Sequence, residues 1–285
     1  MKILITGSNG QLGSEIRELQ PAFAHYEFLY TDLDELDITD VTEVNRYFEL
    51  QSPDVVINCA AYTAVDKAET DEGTAFLVNA LAPGILARAA ADSGAFMVHI
   101  STDYVYDGTN FRPYIETDGI NPVSVYAKSK AAGEKAVQQA GGKAIIIRTS
   151  WLYSAFGNNF IKTMMKYGKE RDSLNVVFDQ TGTPTYARDL ARTILDILPL
   201  AMTAADIEVY HYSNEGVASW YDFAKAIHEL TSIICQVNPI PTKDYPLPAE
   251  RPFYSVLDKS KIKKKFPIEI PYWRDSLRHC IGRLI

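Results

Sequence analysis

The chain has 285 residues, 47% of them hydrophobic and 22% charged; this is an ordinary globular composition and excludes disorder, collagen and a chain-long coiled coil. Lys and Arg number 28 against 36 Asp and Glu, a formal net charge of −8, which speaks against a phosphate-backbone binder with its basic face. The one basic run, Lys259, Lys261, Lys263, Lys264 and Lys265, reads as a solvated helix face rather than a nucleic-acid patch.

A short β-branched run at 3–6 predicts a strand, followed by a glycine-rich turn and an amphipathic helix over 11–19. Strands at 27–31, 55–59, 96–101 and 144–149 then alternate with helices at 39–49, 74–93 and 126–139. Strands this apolar, without alternation, are buried on both faces, as parallel strands covered by helices are. The order predicts an α/β fold, a Rossmann-type doubly wound parallel sheet with right-handed crossovers. The second half predicts helices at 158–169, 186–198, 220–230 and 273–283, with strands at 175–178 and 209–212. Ser219 is placed to cap one of these helices. The stretch 238–252 holds five prolines and is expected to be extended. Residues 1–150 are thus expected to form the Rossmann-type domain, with 175–205 packing back on it. Residues 151–285 are expected to form mainly a small C-terminal substrate-binding lobe over the carboxyl edge of the sheet.

Cys59, Cys235 and Cys280 are far apart and form no C-x-x-C pair, so neither a zinc knuckle nor a redox dithiol is expected. Reduced thiols in a cytoplasm are the simplest reading. No apolar run suggests a membrane span, and the apolar stretch at 3–5 is too short for a signal peptide.

Gly7-Ser8-Asn9-Gly10-Gln11-Leu12-Gly13 follows a predicted strand and opens a helix. Such glycines give a tight turn, let backbone approach a pyrophosphate and let the helix pack on the strand; the helix N-terminus offers N–H groups to the anion. Asp32, at the end of the second strand, is placed to bond a ribose 2′-hydroxyl and to repel a 2′-phosphate. NADH is therefore expected to be favoured over NADPH. Asp34, Glu35 and Asp37 crowd the same loop and can equally be solvated surface.

Tyr126 and Lys130 stand four apart at the start of a predicted helix and share one face. A free phenol titrates near ~10, too high for efficient proton exchange at neutral pH, and a nearby ammonium would lower it. Lys128 points elsewhere. Ser101 and Thr102 end a buried strand at the edge where ligands bind in such sheets. Neighbouring strand residues face opposite ways, so only one of the two hydroxyls is expected to reach a substrate.

These patterns resemble the extended short-chain dehydrogenase/reductases, and within them the dTDP-4-dehydrorhamnose reductase family. The resemblance runs through GSNGQLG (7–13), LDITD (36–40), NCAAYTAVDKAE (58–69), STDYVYDG (101–108), YAKSK (126–130), RTSWLY (148–153), GNNF (157–160), DQTGTPT (179–185) and RPFYS (251–255). It implies reduction of the C4 keto group of dTDP-4-dehydro-β-L-rhamnose by NADH or NADPH, the last step of dTDP-rhamnose biosynthesis, in a monomer or homodimer. It implies Thr102, Tyr126 and Lys130 as the catalytic triad. Cofactor contacts carried over are Gly7, Asn9, Gly10, Gln11 and Leu12 of the turn, then Asp37 and Ile38 at the adenine edge, with Ala60, Ala61, Tyr62 and Asn79. Substrate contacts carried over are Thr63, Val65, Asp103, Tyr104 and Trp151. Arg251, bracketed by prolines, could pair with the nucleotide diphosphate.

Two positions depart from the resemblance. Some family members dimerise through a metal held by glutamates; Glu15 matches one such position, but Arg188 stands where another carboxylate would be, so no bridging metal is expected. Tyr254 replaces the Asn common in the RPxNS pattern. An epimerase or dehydratase of the same superfamily, or a non-catalytic regulatory subunit on this fold, remains as an alternative.

Overall fold

The computed structural model describes residues 1–285. Its first half runs β1 (Lys2–Thr6), α1 (Gln11–Leu19), β2 (Glu27–Thr31), α2 (Val41–Gln51), β3 (Val55–Asn58), α3 (Glu72–Ser93), β4 (Phe96–Thr102), α4 (Val125–Ala140) and β5 (Lys143–Thr149). The second half runs α5 (Phe160–Glu170), β6 (Ser173–Val177), α6 (Ala187–Ala201), β7 (Glu208–His211), α7 (Trp220–Thr231), β8 (Gln236–Ile240), α8 (Ser260–Lys265) and α9 (Trp273–Ile281).

Six parallel strands form the central sheet in the order β7-β5-β4-β3-β1-β2. The chain turns from one side of the sheet to the other between β2 and β3, which flank β1, and ligands in open parallel sheets bind outside the carboxyl ends at such a reversal. The alternation of side chains explains the unbroken apolar runs. Ile3, Ile5, Ile57, Val98 and Ile147 face α1 and α6, where Ile16, Leu190, Ile194 and Leu198 cover them. Leu4, Val56, Met97 and Ile146 face the other layer, with Val44, Phe48, Leu86 and Val137 of α2, α3 and α4. Both faces are apolar because both are covered.

Helix α3 is long and apolar enough, by length and composition, to cross a membrane, but half of that window is buried in the fold. It contains a π turn at Leu77–Leu81 and ends at Gly94 in the left-handed region (φ 75°).

The second half divides differently from the expectation. Helix α6 does lie on the first core. The strand preceding it does not: β6 pairs in parallel with β8, Val176 opposite Pro239. Strand β8 starts just before the proline-rich stretch. Proline is tolerated there because a two-stranded sheet leaves each strand a free edge. Leu174, Val176 and Val237 join Phe223, Ile227, Trp273 and Leu277 in a separate core. The basic run also differs. Lys259 is buried with its ammonium 3.5 Å from Glu215, while Lys261 and Lys263 pair with Glu208 and Glu215 at 2.6 and 2.7 Å. These charges tie α8 to the sheet edge rather than lying free in solvent.

Candidate active site

The chain turns sharply after β1 because Gly7 adopts φ 64°. A Cβ at Gly7 would sit 2.6 Å from the backbone of Ala60, which follows β3, so only glycine fits this approach. Gly10 caps α1 without any side-chain hydrogen bond, leaving the helix's first N–H groups for another acceptor. A cavity of about 470 Å³ opens here, lined by Gly7, Asn9, Gly10, Asp32, Asp37, Ile38, Ala60 and Ala61. A second, of about 620 Å³, is lined by Gln11, Leu12, Thr63, Val65, Thr102, Asp103, Tyr104, Tyr126, Lys130 and Trp151. The two share Gly10, Cys59 and Ala61, so they adjoin across the end of β3. The glycine cradle and uncapped helix end fit a dinucleotide pyrophosphate.

At the outer cavity, the Asp32 carboxylate accepts from the Asn9 N–H at 3.0 Å and the Leu33 N–H at 2.9 Å. The Thr39 hydroxyl and N–H hold the Asp37 carboxyl below its ordinary range. Three residues expected at the cofactor line neither cavity. Gly13 is a packing glycine, since a Cβ there would lie 2.5 Å from Ser8 Cα. Asn79 is buried in the π turn of α3. Its side chain accepts from Tyr62 N–H at 2.9 Å and donates to Tyr62 C=O and Ser129 Oγ, both at 3.0 Å. It therefore holds the loop after β3 against α4, and Tyr62 is the residue held.

Ser124 caps α4 by accepting from Ala127 N–H at 3.2 Å, which fixes where the helix starts. Tyr126 and Lys130 thus stand one turn apart beside the end of β4. The Lys130 ammonium donates to the Ile100 carbonyl at 2.7 Å. Burial pulls its pKa down to about 8, against an upward pull from Glu134. The Tyr126 phenol is pushed up to about 12 by burial, opposed by a hydrogen bond with Thr102 and reinforced by Asp103. The expected lowering of Tyr126 by Lys130 is not the arrangement found: the ammonium is hydrogen-bonded to a backbone carbonyl.

Thr102 donates to Asp103 Oδ1 at 3.1 Å and lines the inner cavity together with Tyr126. Ser101 donates to Glu134 Oε1 at 2.5 Å. Glu134 is held by the Arg148 fork at 2.9 and 2.7 Å, Arg148 bonds Tyr106 Oη at 2.7 Å, and Tyr106 meets His211 Nε2 at 2.8 Å. This buried network was not visible in the sequence, because its members come from four elements.

Trp151 closes the inner cavity with a left-handed backbone, φ 48°, a conformation costing a non-glycine residue about 1–3 kcal/mol. Its ring stacks on Trp220, centroids 3.7 Å apart and planes within 8°. Phe160 tilts onto Trp220 at 4.7 Å. Trp220, Phe160 and Asn159 also line this cavity and were missed by the sequence reading. The available signal was Ser219, whose capping box with Asp222 sets Trp220 in the first turn of α7.

Arg251 does not present a free fork to a diphosphate. Its guanidinium pairs with Asp66 at 3.0 and 2.7 Å, pinning the single helical turn Val65–Ala68 to the C-terminal loop. Nor does Glu15 suit a metal. It is fully buried and accepts from Ser154 at 2.6 Å, Arg188 at 3.2 Å and Arg283 at 2.9 and 2.7 Å. Two guanidiniums already neutralise it.

A family model described as "RmlD substrate binding domain" matches residues 1–285. A curated dTDP-4-dehydrorhamnose reductase of Burkholderia thailandensis is 42% identical over 298 residues, covering 100% of this chain and 99% of that one. The solved reductase from Clostridium acetobutylicum superimposes with a TM-score of 0.95 at 46% identity, covering 100% and 99% of the two chains. The Bacillus anthracis reductase, solved in complex with NADP, gives a TM-score of 0.93 at 38% identity, covering 99% and 98%.

Proposed function

The chain belongs to the dTDP-4-dehydrorhamnose reductase family, and from that premise we propose that Thr102, Tyr126 and Lys130 catalyse reduction of the C4 keto group of dTDP-4-dehydro-β-L-rhamnose to give dTDP-L-rhamnose. The protein is an NAD(P)H-dependent oxidoreductase. The observation that carries the site reading is that Thr102, Tyr126 and Lys130 line one cavity that adjoins the glycine cradle.

Reduced nicotinamide dinucleotide, when bound, supplies the hydride. Gly7, Asn9, Gly10, Gln11 and Leu12 would hold its pyrophosphate side, with Ala60 and Ala61 allowing close approach. Asp32, Asp37 and Ile38 would meet the adenosine. The Tyr126 phenol, kept protonated by its raised pKa, would donate its proton to the C4 oxygen. Thr102 would hydrogen-bond that oxygen and hold it in line. Lys130 would leave the Ile100 carbonyl to bond the nicotinamide ribose. Thr63, Val65, Asp103 and Tyr104 would border the sugar, and Trp151 with Trp220 would form its apolar wall.

The acidic loop supports NADH over NADPH, since the Asp32 carboxylate lies at the cradle and would repel a 2′-phosphate. Steady-state kinetics with each cofactor decides this. A cytoplasmic location and supply of deoxysugar to surface polysaccharide accord with the reaction. The decisive experiment supplies the keto-sugar and follows nicotinamide absorbance. One NADH lost per sugar reduced supports the reading; sugar conversion without net NADH oxidation marks an epimerase or dehydratase instead.

A further inference from the structure

Lys130 and Glu134 are each 2% exposed and stand one turn apart on α4, on the face that carries Tyr126. A cation this deep needs a counter-charge, or it gives up its proton. The hydrogen-bond acceptor of the Lys130 ammonium, the Ile100 carbonyl, carries no net charge. Glu134 does not line the inner cavity. It is fixed from behind. The Ser101 hydroxyl donates to its Oε1 at 2.5 Å, and the Arg148 fork donates to Oε1 at 2.9 Å and to Oε2 at 2.7 Å. Ser101 and Arg148 stand opposite each other in the register of β4 and β5. Two adjacent residues of β4 therefore hold two successive turns of α4: Ile100 receives Lys130, and Ser101 holds Glu134.

We propose that Glu134 is a positioning residue for the reduction: anchored by Ser101 and Arg148, it keeps Lys130 in place and in its ammonium form for the nicotinamide ribose. This rests on Lys130 being the residue that bonds that ribose. When Lys130 leaves the Ile100 carbonyl for the cofactor, the Glu134 carboxylate stays tied to the sheet one turn away, so the ammonium keeps its counter-charge through the exchange.

Burial pulls the Lys130 ammonium down to about 8, and Glu134 pulls it up. The other titratable and charged groups around Lys130 are Tyr126 on α4, His99 on β4, Arg148 of β5 beyond Glu134, and Asp103 and Cys59 along the cavity. His99 is held well below its ordinary range by burial and then by Lys130, so it adds no charge at neutral pH. Burial keeps the Tyr126 phenol and the Cys59 thiol protonated. Arg148 is taken up by Glu134 and the Tyr106 hydroxyl. Asp103, raised to about 7 chiefly by burial, is the same residue in every Glu134 variant, so a comparison among variants isolates Glu134.

The test measures kcat/KM for NADH at saturating keto-sugar, which reports groups of the free enzyme, between about pH 6 and about pH 9. Wild type should descend as pH rises through about 8, where Lys130 loses its proton. Glu134→Gln should move that descent down by about one pH unit, with about tenfold lower kcat/KM at high pH and recovery toward wild type at about pH 6. Glu134→Asp keeps the charge and should leave the descent in place. A purely structural role would lower the rate equally at every pH. A Glu134→Gln enzyme with its descent unmoved, or with an equal loss across the range, overturns the proposal. Should Glu134→Gln not fold, Glu134→Gln combined with Arg148→Met takes its place, since no buried ion is then left unpaired, and the same downward move is required. Lys130→Met is assayed in parallel. If it is inactive while Glu134→Gln keeps the wild-type descent, only the role of Glu134 fails; if it turns over as wild type does, the reading of Lys130 fails and this inference with it.

Discussion

The guanidinium of Arg283 lies 2.7 Å from Oε2 of Glu15 and 2.7 Å from the Tyr186 hydroxyl, joining the segment after α9 to the helix that opens the nucleotide crevice. Glu15 is wholly buried, and these donors satisfy its carboxylate oxygens. Arg283→Ala should lower the unfolding free energy by about 2–3 kcal/mol, the cost of leaving a buried carboxylate short of a charged partner while Arg188 remains. The denaturant midpoint measures this. A change within experimental error would mean the junction carries no weight.

The same carboxylate bears on metal dependence. With its oxygens taken by Ser154, Arg188 and Arg283, Glu15 has nothing to offer a divalent ion. Treatment with EDTA should leave both the melting temperature and the elution volume on size exclusion unchanged. A dimer that falls apart on chelation contradicts this.

Trp220 forms the wall behind Trp151. Trp220→Ala should raise the sugar KM about 2- to 10-fold, matching the roughly 0.5–1.5 kcal/mol of an aromatic pair, and should spare kcat and NADH affinity. Equal losses in NADH binding would place the ring elsewhere in function.

Asp66 and Arg251 give a pH-dependent contribution. The Arg251 hydrogen bond holds the Asp66 carboxyl below its ordinary range. The folded state thus binds fewer protons than the unfolded one as pH falls past about 3.9, the usual carboxyl value. The increment is present above that value and is lost on acidification through the folded pKa. The Asp66 side chain is 37% exposed, so solvent screening keeps the increment below about 1 kcal/mol. Denaturation of wild type and Asp66→Asn should differ at neutral pH and converge in acid; a gap independent of pH would refute the assignment.

The parts legible in the sequence are those governed by neighbours in the chain. Gly7 through Gly13 announce a tight turn into a helix, and Tyr126 and Lys130 lie one helical turn apart. What escaped depends on distant partners. Nothing near Arg251 says that its fork belongs to Asp66, far away in the chain. Nothing near Asn79 says that its amide is used up by Tyr62 and Ser129. The pairing of β6 with β8 was hidden because prolines 239 and 241 mark extended backbone but do not name the strand they lie beside. Helical spacing likewise fixes which side Lys130 projects from, whereas the Ile100 carbonyl that receives its ammonium is supplied by β4.

Strand β7 completes the main sheet by pairing with β5, Tyr210 opposite Ile147. During synthesis, β5 emerges first and must wait, with one row of backbone donors and acceptors bare, while α5, β6 and α6 are made. Such a bare strand edge is a template for mispairing with a neighbouring nascent chain. Production yield at elevated temperature should accordingly be more sensitive to changes in β7 than native-state burial alone would suggest.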